Sequence, residues 1–279
     1  MSIKILEKKI LADVSGSKIV QIKVAAGDIA ARAKAGQFIV LMVSEEGERI
    51  PLTIADIDEN KTIITIIFQE AGLTTRLLAK LEPGNSLYAL AGPLGHPTEI
   101  HKSANVIIVG GGVGIAEIYP VTKAFKTAGS RVTTILGART KELLILEQEL
   151  KKVSDDFYVT TDDGSYGKKG FVTDILKELL AGNDKTYNLV YAVGPIPMMR
   201  KVAETTKPFN VKTLVSLNAL MVDATGMCGC CRVSIGGKTK FSCVDGPEFD
   251  AHEVDWDELI KRNKIYFDKE QHICKLSLK

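Results

Sequence analysis

The stretch Val106–Phe125, "VIIVGGGVGIAEIYPVTKAF", decides how the middle of this 279-residue chain is read. Val106–Val109 form an uninterrupted apolar run that ends in Gly110, Gly111, Gly112 and Gly114, and a helical pattern follows at once. A run of that length before a glycine turn predicts a buried strand feeding a helix. Glycines there permit a tight turn and let backbone N–H groups approach a diphosphate at the positive end of the helix dipole. The pattern departs from GxGxxG near the third glycine, where Ile115 and Ala116 stand, and a purely structural turn is the bland alternative.

Outward from this turn the same alternation continues. The strands "RVTTILGA", "FYVTT", "NLVYAVG" and "VKTLVS" alternate with the helices "TKELLILEQELKKV", "FVTDILKELL" and "PMMRKVAETT". Such alternation predicts a parallel sheet covered by helices over residues 100–215. Residues 1–99 read differently, with short β-branched runs "KIVQIKV", "GQFIVLMV", "RIPLTIAD", "KTIITIIF" and "NSLYAL" separated by Gly, Asn and Asp, as in an antiparallel barrel. One short helix is expected there in "GLTTRLLAKLEPG", stopped by Pro83-Gly84. Residues 216–279 hold a cysteine loop, a small β segment and a polar helical tail. The expected fold class is therefore α+β multidomain: a β-barrel (1–99), an α/β nucleotide-binding domain (100–215) and a small C-terminal metal domain (216–279).

Charge and hydropathy exclude other classes. With 36 basic and 34 acidic residues the net charge is +2, which lacks the clustered excess of a nucleic-acid binder. No apolar run approaches the roughly 18 residues of a membrane span, and "MSIKILEKKILADV" has no secretory core, so the expected location is cytoplasmic.

Two further segments fall at carboxyl ends of the expected strands, where open α/β sheets bind ligands. One contributes Asp162, Asp163 and Gly164, and the other Gly194, Pro195, Met198 and Met199. With Gly111, Gly112, Val113 and Gly114, the residues Asp162, Gly164, Gly194, Pro195 and Met198 are the candidates for NAD(H). The two methionines read equally well as core. Arg139, at the end of the second strand, could meet an adenosine ribose or its 2′-phosphate, which leaves NADP(H) open beside NAD(H).

Four of five cysteines (Cys228, Cys230, Cys231 and Cys243) lie in "MVDATGMCGCCRVSIGGKTKFSC", Met221–Cys243. Their crowding fits a metal site in a reducing compartment better than a disulfide scaffold. A zinc site formed by Cys228, Cys231 and Cys243 with Cys230 or Asp223 is one reading, although structural zinc loops normally show two separated pairs. Cys274 reads as a small buried hydrophobe.

A β-barrel followed by this α/β unit resembles the ferredoxin–NADP reductase superfamily, in which the barrel holds a flavin and the second domain presents nicotinamide to it. "RIPLTIAD" stands in the place of that family's flavin strand. The resemblance assigns Arg49 to the flavin phosphate and Pro51, Leu52, Thr53 and Ile54 to the flavin edge. Arg49 lies one position further from Thr53 than in the family pattern, and Leu52 replaces an aromatic. "EAGLTTRLLAKLEPG" resembles the segment that receives the flavin diphosphate, through Gly72, Thr74 and Thr75. A threonine there also serves as an ordinary helix cap.

The C-terminal loop narrows the resemblance to electron-transfer subunits related to that of dihydroorotate dehydrogenase, whose [2Fe-2S] pattern is C-x4-C-x2-C-x(n)-C followed by "DGP". Cys228, Cys231 and Cys243 fit, and Asp223 stands where the first cysteine would be. "MVDATGMCGCCRVSIGG" is similar to the small subunits of NADH-dependent ferredoxin:NADP oxidoreductases, in which an aspartate takes that position. This resemblance implies metal ligands Asp223, Cys228, Cys231 and Cys243, with Cys230 surplus, and the cofactors FAD, [2Fe-2S] and NAD(H). It implies an oxidoreductase subunit without a catalytic acid or base. The implied partner is a larger flavin and iron–sulfur subunit resembling the glutamate synthase small subunit, with ferredoxin reached through an electron-bifurcating complex. A dihydroorotate dehydrogenase relay and a zinc-stabilised binding protein without catalysis are the alternatives.

Overall fold

The computed structural model describes residues 3–14, 16–182 and 186–276, and no side chain at 271 or 274–276, so Cys274 lies outside the described residues. Seven strands form the first sheet: β1 (Ile3–Val14), β2 (Ser17–Ala25), β3 (Phe38–Met42), β4 (Ile50–Ile57), β5 (Ile63–Gln69), β6 (Ser86–Leu87) and β7 (Ala89–Leu94). Their order is β6-β1-β2-β5-β4-β3-β7, and neighbouring strands pair antiparallel. The two end strands, β6 and β7, are separated in the chain by Tyr88 alone, so the sheet must curl until its ends meet. That curl is what makes it a barrel. Its interior is filled by Ile22, Ile39, Leu41, Ile64, Ile66 and Phe68, together with Leu78.

A short helix α1 (Gly27–Ala30) and the eight-residue helix α2 (Leu73–Lys80) complete this part, and α2 ends at Leu81 just before Pro83-Gly84, as expected. Strand β1 is absent from the sequence-level runs. Leu6 and Ile10 lie exposed among its lysines and glutamates, so the strand lacks the clean alternation that marks a half-buried strand.

The second sheet begins with β8 (Asn105–Gly111) and helix α3 (Gly114–Thr127), followed by β9 (Arg131–Ala138), α4 (Glu147–Lys152) and β10 (Asp156–Thr161). Then come β11 (Lys168–Lys169), α5 (Val172–Ala181), β12 (Leu189–Val193), α6 (Ile196–Thr206) and β13 (Lys212–Ser216). Strands β8, β9, β10, β12 and β13 pair in parallel. Val106, Ile107, Ile108 and Val109 are all fully buried, as helices on both faces require. The helix expected throughout "TKELLILEQELKKV" is shorter: Lys141–Leu143 form a 3₁₀ turn, and Leu146, at φ 52°, starts α4 from the left-handed region. Leu143, Ile145 and Leu150 are nevertheless all buried, which is why the apolar spacing suggested one continuous helix.

After β13 the chain forms the cysteine loop and the hairpin of β14 (Arg232–Ile235) and β15 (Lys238–Phe241). Gly236 and Gly237, both at positive φ, make its two-residue turn. The short helix α7 (Ser242–Asp245), strand β16 (Glu248–Asp250), α8 (Trp256–Asn263) and α9 (Phe267–Leu276) follow. The chain divides into two units. One comprises Met1–His96, Asn218–Pro247 and Asp255–Lys279, and the other Pro97–Leu217 and Glu248–Val254. The cysteine loop thus clusters with the barrel, while β16 crosses over to pair antiparallel with β13 at the edge of the parallel sheet. Among the described residues no helix is long and apolar enough to cross a membrane.

Candidate metal centre and nucleotide cradle

In the parallel sheet the order is β11-β10-β9-β8-β12-β13-β16, so the chain leaves β8 toward one side and returns on the other. The switch point lies between β8 and β12, where ligands bind in open sheets of this kind. Gly111–Gly114 and Gly194–Pro195 flank it. The four glycines have different tasks. A Cβ on Gly110 would lie 2.6 Å from Ile118 Cδ1, on Gly111 2.2 Å from Met198 Sδ, and on Gly114 2.5 Å from the Val193 carbonyl oxygen. These three are glycines because the helix and the neighbouring strand pack onto them. Gly112, at φ +57°, has no atom within 4 Å of the Cβ position, so its backbone faces open space. Gly112 is the part of the turn that a diphosphate can approach.

Met198 wedges against both Gly111 and Gly194, whose Cβ would stand 2.7 Å from its methyl group. It packs the floor of the cradle, whereas Met199 is fully buried core. Asp162 and Gly164 lie on an exposed loop after β10. Two strand spacings separate β10 from β8, so this loop starts about 10 Å along the carboxyl edge of the sheet from the switch point. The Asp163 carboxylate accepts from the Ser165 hydroxyl and N–H, which holds its pKa below the usual range.

The same unit holds a buried network that no sequence pattern announces. Glu248 Oε1 accepts a 2.8 Å bond from the Tyr191 hydroxyl and a short one from the Thr98 hydroxyl. Burial raises the Glu248 carboxyl above its usual pKa, against some relief from those two donors. Tyr191 is pushed well above the ordinary phenol range, first by burial and then by Glu248. No motif marks these residues, because 57 positions separate Tyr191 from Glu248.

On the barrel, Leu52 and Ile54 pack toward the core, so by alternation Pro51 and Thr53 occupy the opposite, half-exposed face of β4. Gly72 precedes α2, and a Cβ there would meet nothing within 4 Å. Thr75 behaves as the cap: its hydroxyl oxygen accepts from Ala71 N–H and Gly72 N–H, each at 3.0 Å. The buried Thr74 hydroxyl donates to Glu48 Oε2 at 2.6 Å. An open backbone position at a helix N-terminus, with polar groups around it, suits the diphosphate of a dinucleotide.

The cysteine loop brings two of its thiols together. Cys231 Sγ lies 3.1 Å from Cys243 Sγ, and both residues are buried. Cys228 is exposed, and its sulfur is met by backbone donors from Cys230 and Asp223, which lower its pKa. Burial, reinforced by Cys231, pushes the Cys243 thiol up to about 12. Cys230, half buried, is shifted upward by burial and by Cys228, while its carbonyl accepts from Arg262 Nη2 at 3.1 Å. Gly226 and Gly229 at positive φ, with Ala224, let the loop turn sharply between its donors. Asp223 is held from outside the loop, its Oδ1 accepting from Arg49 Nη1 at 2.6 Å. Among the described residues no three His, Cys, Asp or Glu side chains converge as around a single ion.

The fit of a binuclear cluster can be judged from this donor set. A [2Fe-2S] group needs two protein donors per iron; Cys231 and Cys243 supply one adjacent pair, and Cys228 and Asp223, whose backbone N–H meets the Cys228 sulfur, are the anionic donors that remain for the second. Two sulfurs on one tetrahedral metal stand about 3.8 Å apart for bonds of roughly 2.3 Å. The Cys231–Cys243 pair therefore need open by only part of an ångström.

Comparison with known proteins agrees with this division of labour. Residues 218–255 match the family described as the iron-sulfur cluster binding domain of dihydroorotate dehydrogenase B, and residues 108–204 the oxidoreductase NAD-binding domain. A Thermotoga maritima protein described as a homologue of the dihydroorotate dehydrogenase B electron transfer subunit is 47% identical over 87% of this chain and 85% of its own length. The corresponding subunit of Fusobacterium nucleatum is 32% identical over 79% of this chain and 86% of its own. A solved structure from work on flavin-based electron bifurcation by an NADH-dependent reduced ferredoxin-NADP oxidoreductase is 43% identical. It covers 100% of this chain and 99% of that one, with a TM-score of 0.92.

Proposed function

We propose, from the premise that this chain belongs to the family of dihydroorotate dehydrogenase B electron-transfer subunits and their homologues, that it is the relay subunit of an electron-bifurcating NADH-dependent ferredoxin:NADP oxidoreductase. It is an oxidoreductase subunit carrying an NAD-binding domain and an iron–sulfur domain. The observation that carries the reading is the approach of the buried Cys231 and Cys243 sulfurs to 3.1 Å, on a loop that also carries Cys228 and Asp223 and is tied to the barrel through Arg49.

The chemistry supplied by the bound groups is hydride exchange between nicotinamide and flavin and one-electron exchange at the cluster. The chain's own residues bind, orient and shield. Gly112 and the N-terminus of α3 hold the NAD(H) diphosphate, with Gly194, Pro195 and Met198 forming the floor. Gly72, Thr74, Thr75 and the outer face of β4, at Pro51 and Thr53, receive FAD. Asp223, Cys228, Cys231 and Cys243 hold the cluster, and Cys230 is not a ligand. No side chain has to move a proton.

The partner in this reading is a larger flavin and iron–sulfur subunit resembling the glutamate synthase small subunit, through which ferredoxin and NADP are reached. The names of the sequence relatives favour a second partner, a dihydroorotate dehydrogenase catalytic subunit. Affinity purification of the chain from its host, with identification of the bound subunit, separates the two. Anaerobically purified protein should be yellow-brown and contain both flavin and iron; zinc without flavin would defeat the relay reading altogether.

A further inference from the structure

The Asp223 carboxylate is gripped at both oxygens. Thr225, two residues along the same loop, donates its hydroxyl to Oδ2. Arg49, 174 positions earlier and just ahead of β4, donates Nη1 to Oδ1 at 2.6 Å. The two grips differ in kind. Thr225 moves with the loop, whereas Arg49 is anchored by a barrel strand and brings a full positive charge to an aspartate whose side chain is 23% exposed. A carboxylate bound to a metal through one oxygen normally has its other oxygen hydrogen-bonded, and such outer partners fix the ligand and tune the metal.

We propose that Arg49 is the positioning residue of Asp223: it holds Oδ1 away from the metal, leaves Oδ2, which also accepts from the Thr225 hydroxyl, as the donor oxygen, and raises the reduction potential of the cluster. The inference rests on Asp223 being a ligand, and it gives Arg49 a task distinct from the flavin-phosphate contact that the family resemblance implies. The sign follows from charge. Reduction adds one electron to the cluster, so a fixed cation beside a ligand stabilises the reduced form and lifts the midpoint. Arg49 is half exposed, so water and salt weaken its effect, and raising ionic strength should diminish it.

The test is redox titration of the whole protein followed by electron paramagnetic resonance, with flavin and iron determined on each sample. Arg49→Gln should retain flavin and iron and titrate at a lower midpoint than the wild type. Arg49→Lys, which keeps the cation without the planar fork, should fall between them. In the Asp223→Cys background, Arg49→Gln should shift the midpoint less, because a thiolate has no second oxygen to hold. Unchanged midpoints in both Arg49 variants overturn the proposal, and loss of flavin with an unchanged midpoint does so in favour of a phosphate contact. If Arg49→Gln does not load, an Arg49→Lys midpoint and spectrum identical to wild type overturn it as well. An Asp223→Cys protein whose midpoint and resonance spectrum match the wild type would remove Asp223 from the ligand set, a failure distinct from silent Arg49 variants alone.

Discussion

The glycine turn after β8 assigns separable tasks to neighbouring positions, and two substitutions separate them. In Gly114→Ala the new Cβ would stand 2.5 Å from the Val193 carbonyl oxygen, 2.7 Å from its carbon and 2.9 Å from Gly194 Cα. All three are backbone atoms of β12 or its end, which no rotamer change can clear. Overpacking of this kind costs about 1–3 kcal/mol. The helical preference of alanine over glycine returns about 1 kcal/mol in a helix interior, and less in the first turn of α3. A net loss on the order of 2 kcal/mol lowers the melting temperature by roughly 6–10 °C in a domain of this size. In Gly112→Asp the Cβ enters open space, and aspartate is among the residues that tolerate positive φ, so the fold should survive. Its carboxylate would stand where the diphosphate approaches. Losing one charge-assisted amide bond, at about 1.5–3 kcal/mol, weakens NADH binding roughly 10- to 150-fold. Calorimetric melting and NADH titration at a temperature where both variants are folded provide the readout. A wild-type melting temperature for Gly114→Ala, or wild-type NADH affinity for Gly112→Asp, would refute this division of the turn.

Three further outcomes follow from the two sites. Cys230→Ser should keep the cluster's visible spectrum and iron content, whereas Cys228→Ser should lose them; the reverse pattern would exchange the two assignments. Carboxylate ligation should place the midpoint above that of an all-thiolate cluster, so Asp223→Cys should titrate lower, and an unchanged or higher midpoint contradicts this. Glu248, with its pKa raised by burial, contributes stability below the ordinary carboxylate range that is lost as pH rises through its elevated folded value. Glu248→Gln keeps an acceptor for Thr98 and Tyr191, so it should melt above the wild type at pH 8, with the gain shrinking toward pH 4; a gain independent of pH would contradict that origin.

The parts of this molecule that were legible in its sequence are those whose physics is local. Val106–Val109 form a plain apolar run because a strand covered on both faces has no polar side, and the glycines beyond it announce the turn. The barrel was legible from its β-branched runs except for β1, whose outward Leu6 and Ile10 blur the alternation. Leu146 illustrates the opposite error: helical apolar spacing surrounds it, yet it adopts a left-handed conformation that ends one element and begins another. Relationships across the chain were out of reach. Nothing near Asp223 indicates Arg49, nothing near Tyr191 indicates Glu248, and Met198 reads as generic core until its sulfur is seen against Gly111. Leu52 was expected at the flavin edge from its place in the strand motif, and only the barrel packing shows its side chain turned toward the core.

The central claim is that one chain joins nicotinamide to an iron–sulfur cluster through a flavin. Anaerobic titration of the purified protein with NADH, followed by visible absorption and electron paramagnetic resonance, tests it most directly. The account predicts bleaching of the flavin bands together with the appearance of a reduced [2Fe-2S] signal. A protein that binds NADH yet shows neither bleaching nor a cluster signal would contradict it.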